Sequence, residues 1–136
     1  MTALATLDTF QEIDQRRSMI EIHRNPKAGL DYSITLDRAL PLSDIAGDVI
    51  LTIRYIPDHF VATPESLDAY SAHLAAQDWS SLENLAATLI DDLNNELIPR
   101  WIEVCLKTTL AGGETGYEIR MEDRRPDWTR QVPLIS

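Results

Sequence analysis

Residues 80–107 read SSLENLAATLIDDLNNELIPRWIEVCLK, and the fold turns on the change of rhythm inside them. Leu82, Leu85, Ala86, Leu89, Leu93 and Leu97 recur at helical spacing, so one stripe of a helix is apolar. Pro99 cannot continue that helix, because its ring removes an N–H and clashes with the preceding turn. Beyond it the period drops to two. Ile102, Val104 and Leu106 alternate with Trp101, Glu103, Cys105 and Lys107, the mark of a strand with one apolar face.

Outward from this stretch the same two rhythms recur. Residues 30–36 place Tyr32, Ile34 and Leu36 on one face, and residues 49–55 place Val49, Leu51, Ile53 and Tyr55 on one face. Residues 116–122 place Tyr117, Ile119 and Met121 against Glu118, Arg120 and Glu122. A weaker stretch at 19–24 is a candidate edge strand. Thr63 followed by Pro64 is a favourable helix start, with Leu67, Tyr70 and Leu74 on one side. The order is β-β-α-α-β-β. Four strands with one apolar face bury it under two helices, which predicts a two-layer α+β domain with an antiparallel sheet. The sheet's second face stays polar and its edges stay open to pairing. Closure of several copies into a barrel, a homo-oligomer, is the expected remedy.

The whole chain of 136 residues reads as one domain, with a core at about 30–122, an extended arm at 1–29 and a tail at 123–136. Twenty-two acidic against 12 basic residues give a formal charge of −10, which repels phosphate backbones and argues against nucleic acid as a partner. No apolar run is long enough to span a membrane, and the first residues do not read as a secretory leader. A lone cysteine, Cys105, suits the cytoplasm. His23, His59 and His73 lie too far apart in sequence for a familiar zinc pattern, so no metal is expected.

Four segments carry a resemblance to a known family. Ile53-Arg54-Tyr55-Ile56-Pro57-Asp58 is similar to the I-x-Y-I-P-D strand end of the QueF-type NADPH-dependent 7-cyano-7-deazaguanine reductases. Asp91-Asp92-Leu93 and Pro99-Arg100-Trp101-Ile102-Glu103-Val104 resemble their N-D-L and P-R-Y-I-E-V passages. Asp31-Tyr32 and Gly112-Gly113 resemble the family's D-Y and R-G-G. The resemblance implies the tunnelling fold (T-fold), queuosine chemistry and a nitrile reduced through a cysteine thioimide. That chemistry needs a thiolate. Here the loop at 37–43 is shorter than the family's, and Leu40 before Pro41 stands where the family has Cys-Pro. The acid partner's place falls at Gly47, with Asp48 beside it. The family's cofactor lysines correspond to Glu65 and Asp68, and an anion beside a phosphate costs about 1 to 4 kcal/mol where a cation would gain it. Ala111 replaces the arginine of R-G-G. NADPH and nitrile reduction are therefore not expected.

The family's His-Glu pair corresponds to Leu82-Glu83, and the resemblance implies that Glu83 anchors the ring N–H groups of a purine- or pterin-like heterocycle. The residues allow a second role: Ser80-Ser81-Leu82-Glu83 also reads as a capping box, Ser80 capping and Glu83 reaching back. Asp48, Asp58 and His59 complete the candidate pocket, and Asp58 with His59 equally suits a solvated turn. Two functions stay open, a heterocycle-binding protein and a non-catalytic assembly protein, with the intact reductase as a third.

Overall fold

The computed structural model describes residues 2–42, 49–109 and 116–128. Among the described residues nine elements follow one another: α1 (Thr2–Ser18), β1 (Ile22–Arg24), β2 (Ile34–Leu40), β3 (Val49–Ile56), β4 (Phe60–Ala62), α2 (Pro64–Ala75), α3 (Leu82–Leu97), β5 (Trp101–Thr109) and β6 (Gly116–Arg124). The main sheet has the order β2-β3-β5-β6, antiparallel throughout. Leu51, Ile53 and Tyr55 of β3 and Ile102, Val104 and Leu106 of β5 form its buried face. Leu85, Leu89, Leu93 and Leu97 of α3 and Leu67, Tyr70 and Leu74 of α2 are buried in the same core. Each such side chain contributes about 1.5–3 kcal/mol by leaving water. The α+β sandwich predicted from the two rhythms is the one observed.

Barrel closure is not. The sheet is open and ends at β2 and β6. Within one chain, four twisted strands are too few to curl shut, since about eight make the small closed barrels. Charge guards the edges instead. On β2, Arg38 points to the helix side and forms an ion pair with Asp68 of α2. On β6, Glu118, Arg120, Glu122, Asp123 and Arg124 are all exposed. Charges on an edge discourage another strand from adding.

The face expected to be wet is partly covered from within. Register sets Arg54, Glu103 and Glu122 side by side on β3, β5 and β6. Arg54 lies over the Trp101 ring at 5.5 Å and 4.0 Å from Glu103 Oε1, while Arg120 approaches Glu103 Oε2 at 3.8 Å. The Trp101 indole N–H donates to Glu122 Oε2 at 2.8 Å. Trp101, Glu103 and Cys105 are buried beneath these pairs.

Three local expectations also shift. The first strand is Ile34–Leu40 rather than 30–36, so the shortened loop begins later than position 37. Its alternation runs through Leu36, Arg38 and Leu40, and the charge on Arg38 hid the continuation. The stretch at 19–24 does form a strand, but β1 pairs with β4 in a separate two-stranded ribbon. The arm at 1–29 is not extended, because α1 occupies most of it. That helix leaves Phe10 exposed. Its anchor is ionic. Arg16 Nε and Nη2 donate to Asp92 at 2.6 and 3.0 Å, and Arg17 Nε donates to Asp92 Oδ1 at 2.7 Å.

Candidate functional site

Capping decides what Glu83 is free to do. The N-cap of α3 is Ser81, with extended backbone, and its Oγ accepts from the Asn84 N–H at 3.1 Å. Ser80 Oγ instead accepts from Asn84 Nδ2 at 2.7 Å. The capping box read from Ser80 and Glu83 is therefore shifted by one residue. Glu83 stands at the second helical position, where the helix dipole favours a carboxylate. Its Oε1 accepts the Tyr117 hydroxyl at 2.7 Å.

Tyr117 was not singled out by sequence as a functional residue. It begins β6 on the helix-facing side, paired with Thr108, in a row that runs Leu40, Val49, Thr108, Tyr117 across the four strands. It is 42% exposed. The hydrogen bond to Glu83, and then that residue's charge, raise its pKa, so the phenol stays protonated and donating. Beside it, Thr108 is buried, and its hydroxyl has no hydrogen-bond partner among the described residues. The signal available in sequence was a tyrosine near the start of the alternating stretch at 116–122.

Asp58 and His59 lie at the other end of the sheet. They follow Ile56, which pairs with Trp101, whereas Tyr117 pairs with Thr108, seven residues along β5. About 23 Å of strand separates the two ends at 3.3 Å per residue. The structure does not bring Glu83 together with Asp58 and His59, and Asp48 lies outside the described residues. Asp58 is buried and engaged. Arg100 Nη2 donates to its Oδ1 at 3.2 Å, and Arg125 is ion-paired to Oδ2. Burial alone would raise the Asp58 pKa, but Arg125, His59 and Arg100 outweigh it and the net shift is downward. His59 Nε2 stands 3.8 Å from Asp58 Oδ1 with its side chain 76% exposed. Asp58 is a structural anion rather than an acid waiting for a proton.

The family-like residues share this structural character. Arg100 Nη1 also donates to Asp31 Oδ1 at 2.7 Å and to the Leu30 carbonyl at 3.0 Å. Asp92, fully buried, accepts the Tyr70 hydroxyl at 2.6 Å besides the two arginines. Leu40, which the resemblance aligns with the family's cysteine, is 3% exposed and packs in the core. Gly112, Gly113 and Ala111 lie outside the described residues. The Cys105 thiol donates to Glu118 Oε1 at 3.1 Å, and burial together with that carboxylate pushes its pKa up to about 11. No thiolate forms there near neutrality. Among the described residues no group of three potential ligands could hold a metal ion, and no helix is long and apolar enough to cross a membrane.

Comparison with known proteins fits this picture. No family model matches the chain. The crystal structure of the archaeosine synthase QueF-Like in the apo form superposes with a TM-score of 0.51, covering 68% of this chain and 90% of that one at 18% identity. The fold is thus that of a T-fold protein. In sequence, the chain is 28% identical over 105 residues to the NADPH-dependent 7-cyano-7-deazaguanine reductase of Chlorobium phaeobacteroides, spanning 74% of this chain and 90% of the relative. The protein is a distant homologue of the QueF-type T-fold deazaguanine reductases.

Proposed function

We propose that this QueF-like protein binds a flat purine- or pterin-like heterocycle through Glu83 and does not reduce a nitrile. One observation carries the reading: the cap of α3 is made by Ser81, which leaves the Glu83 carboxylate at the rim with a single phenol on it. A carboxylate so placed can accept two parallel N–H bonds from a planar ring, which adds orientation to affinity. Leu40 and the raised Cys105 pKa support the loss of nitrile chemistry, since neither supplies a thiolate. Glu65 and Asp68 argue against NADPH, and Asp68 is already paired with Arg38. The protein works in the cytoplasm as a homo-oligomer.

The test is a thermal-shift series with guanine, 7-deazaguanine and pterin on the wild type and on Glu83→Gln. A ligand that binds the folded state raises Tm. The wild type should respond to at least one ring and the variant to none. Equal responses in both proteins would remove Glu83 from the reading. NADPH consumption with 7-cyano-7-deazaguanine should be undetectable. The assembly reading is favoured by the Tyr117 hydroxyl, which already occupies Glu83. It predicts that no ring shifts Tm in either protein, while light scattering still finds a stable oligomer.

A further inference from the structure

Arg24, Asn25, Pro26, Ala28, His59 and Phe60 line a cleft of about 430 Å³ beside the β1–β4 ribbon. It belongs to the Asp58 end of the molecule, away from Glu83. Its walls are held from beneath. The buried Asn25 donates its N–H to the His59 carbonyl at 2.7 Å and its Nδ2 to the Asp58 carbonyl at 2.7 Å. Its Oδ1 accepts from the Lys27 N–H at 3.0 Å and from the Tyr32 hydroxyl at 2.6 Å. Arg100 Nη2 donates to the Ala28 carbonyl at 2.5 Å. A cleft whose loop is already ordered loses little freedom when a ligand arrives.

The rim is cationic on a chain whose net charge is −10. Among the described residues, no carboxylate is ion-paired with Arg24 or with Lys27, which stands between Pro26 and Ala28. Asp58, whose Oδ1 lies 3.8 Å from His59 Nε2, is ion-paired with Arg100 and Arg125. Register sets Arg24 directly opposite Phe60, which is half-buried. Repulsion from distant carboxylates fades beyond about 8–10 Å at ordinary salt, so the local cations govern the cleft. A guanidinium fork matches a carboxylate or phosphate in two bonds, and a ring wall beside it favours a flat body.

We propose that this cleft binds a small aromatic anion, a carboxylate or phosphate carried on a planar ring. Arg24 and the His59 ring N–H hold the anionic group, and Phe60 lies against the ring. The site is independent of Glu83. The full chain would be titrated with phenyl phosphate, benzoate and inorganic phosphate, followed by amide NMR shifts. Phenyl phosphate or benzoate should move the amides of Arg24, Asn25, Ala28, His59 and Phe60. Arg24→Gln and His59→Gln should each weaken binding by about tenfold or more, whereas Glu83→Gln should bind as the wild type does. A tighter phenyl phosphate identifies a phosphate ligand, and a tighter benzoate a carboxylate. Both replaced side chains are exposed, and the unliganded amide spectrum checks that each variant is folded. Shifts that map elsewhere, affinities unchanged in both variants, inorganic phosphate binding as tightly as its phenyl ester, or no response at all would overturn the proposal.

Discussion

Two carboxylates on one helix, Asp92 and Glu83, each accept a tyrosine hydroxyl, at 2.6 and 2.7 Å. They lie about two and a half turns apart, and so on opposite sides of α3. Asp92 is fully buried and also takes Arg16 and Arg17, which dock α1 onto the helical layer. Glu83 is exposed and carries one phenol. The same pairing thus does two jobs. Inside, the lost hydration of the anion demands a full set of partners, and the cluster becomes a bolt. At the rim, water remains a partner, so the carboxylate can exchange its phenol for something else.

Removing the bolt should have the largest effect. Asp92→Asn leaves two arginines facing a neutral amide, and we expect a loss of about 3–5 kcal/mol in urea unfolding. A cost below about 1 kcal/mol would erase the contrast with Glu83. The contrast also has a pH signature. Burial pushes the Asp92 pKa up, but Arg16, Tyr70 and Arg17 together pull it below the ordinary value. A depressed folded pKa means that the stabilisation is complete above the unfolded value near 3.9 and is lost as pH falls through the lower folded value. Asp58 acts in the same direction. Urea midpoints should hold steady from neutrality to about pH 4 and then fall, with a shallower fall in Asp92→Asn.

Next in size is Arg100→Ala, which removes the shared donor of Asp31, Asp58 and the Leu30 and Ala28 carbonyls. About 2–3 kcal/mol should be lost, less than at Asp92 because these groups are nearer water. A smaller change of opposite sign is expected at Ile98. It ends α3 with φ 46°, a left-handed conformation that a β-branched side chain resists, and it is 55% exposed. Ile98→Gly should raise stability by about 0.5–1 kcal/mol in thermal unfolding. Smallest is Glu83→Gln, which should leave Tm within the scatter of surface substitutions while abolishing any heterocycle response. A large drop in its Tm would make Glu83 a second bolt.

The four-stranded order was legible because alternation and helical spacing report a burial that local sequence already specifies. Thr63 capped α2 as read, with Ser66 N–H on its Oγ1 at 3.2 Å. Arg38 and α1 were misread for one reason. Both are placed by ion pairs to residues distant in the chain, Asp68 and Asp92, and such pairs leave no periodic trace. Glu83 was legible as a candidate through the family resemblance alone, and its one-residue shift from the cap was not. Ser80 and Ser81 are chemically equivalent caps, and the choice between them depends on where the chain enters the helix.

By itself the sequence determined the class of fold and the apolar face of each strand. Those follow from side-chain chemistry and from periods of two and 3.6, which need no distant partner. Tertiary structure alone decided that the sheet stays open, that Asp58 and Glu83 stand at opposite ends of it, and that one acid of α3 is a bolt while the other is accessible. Each of those depends on which charges meet across the chain and how much water is left between them.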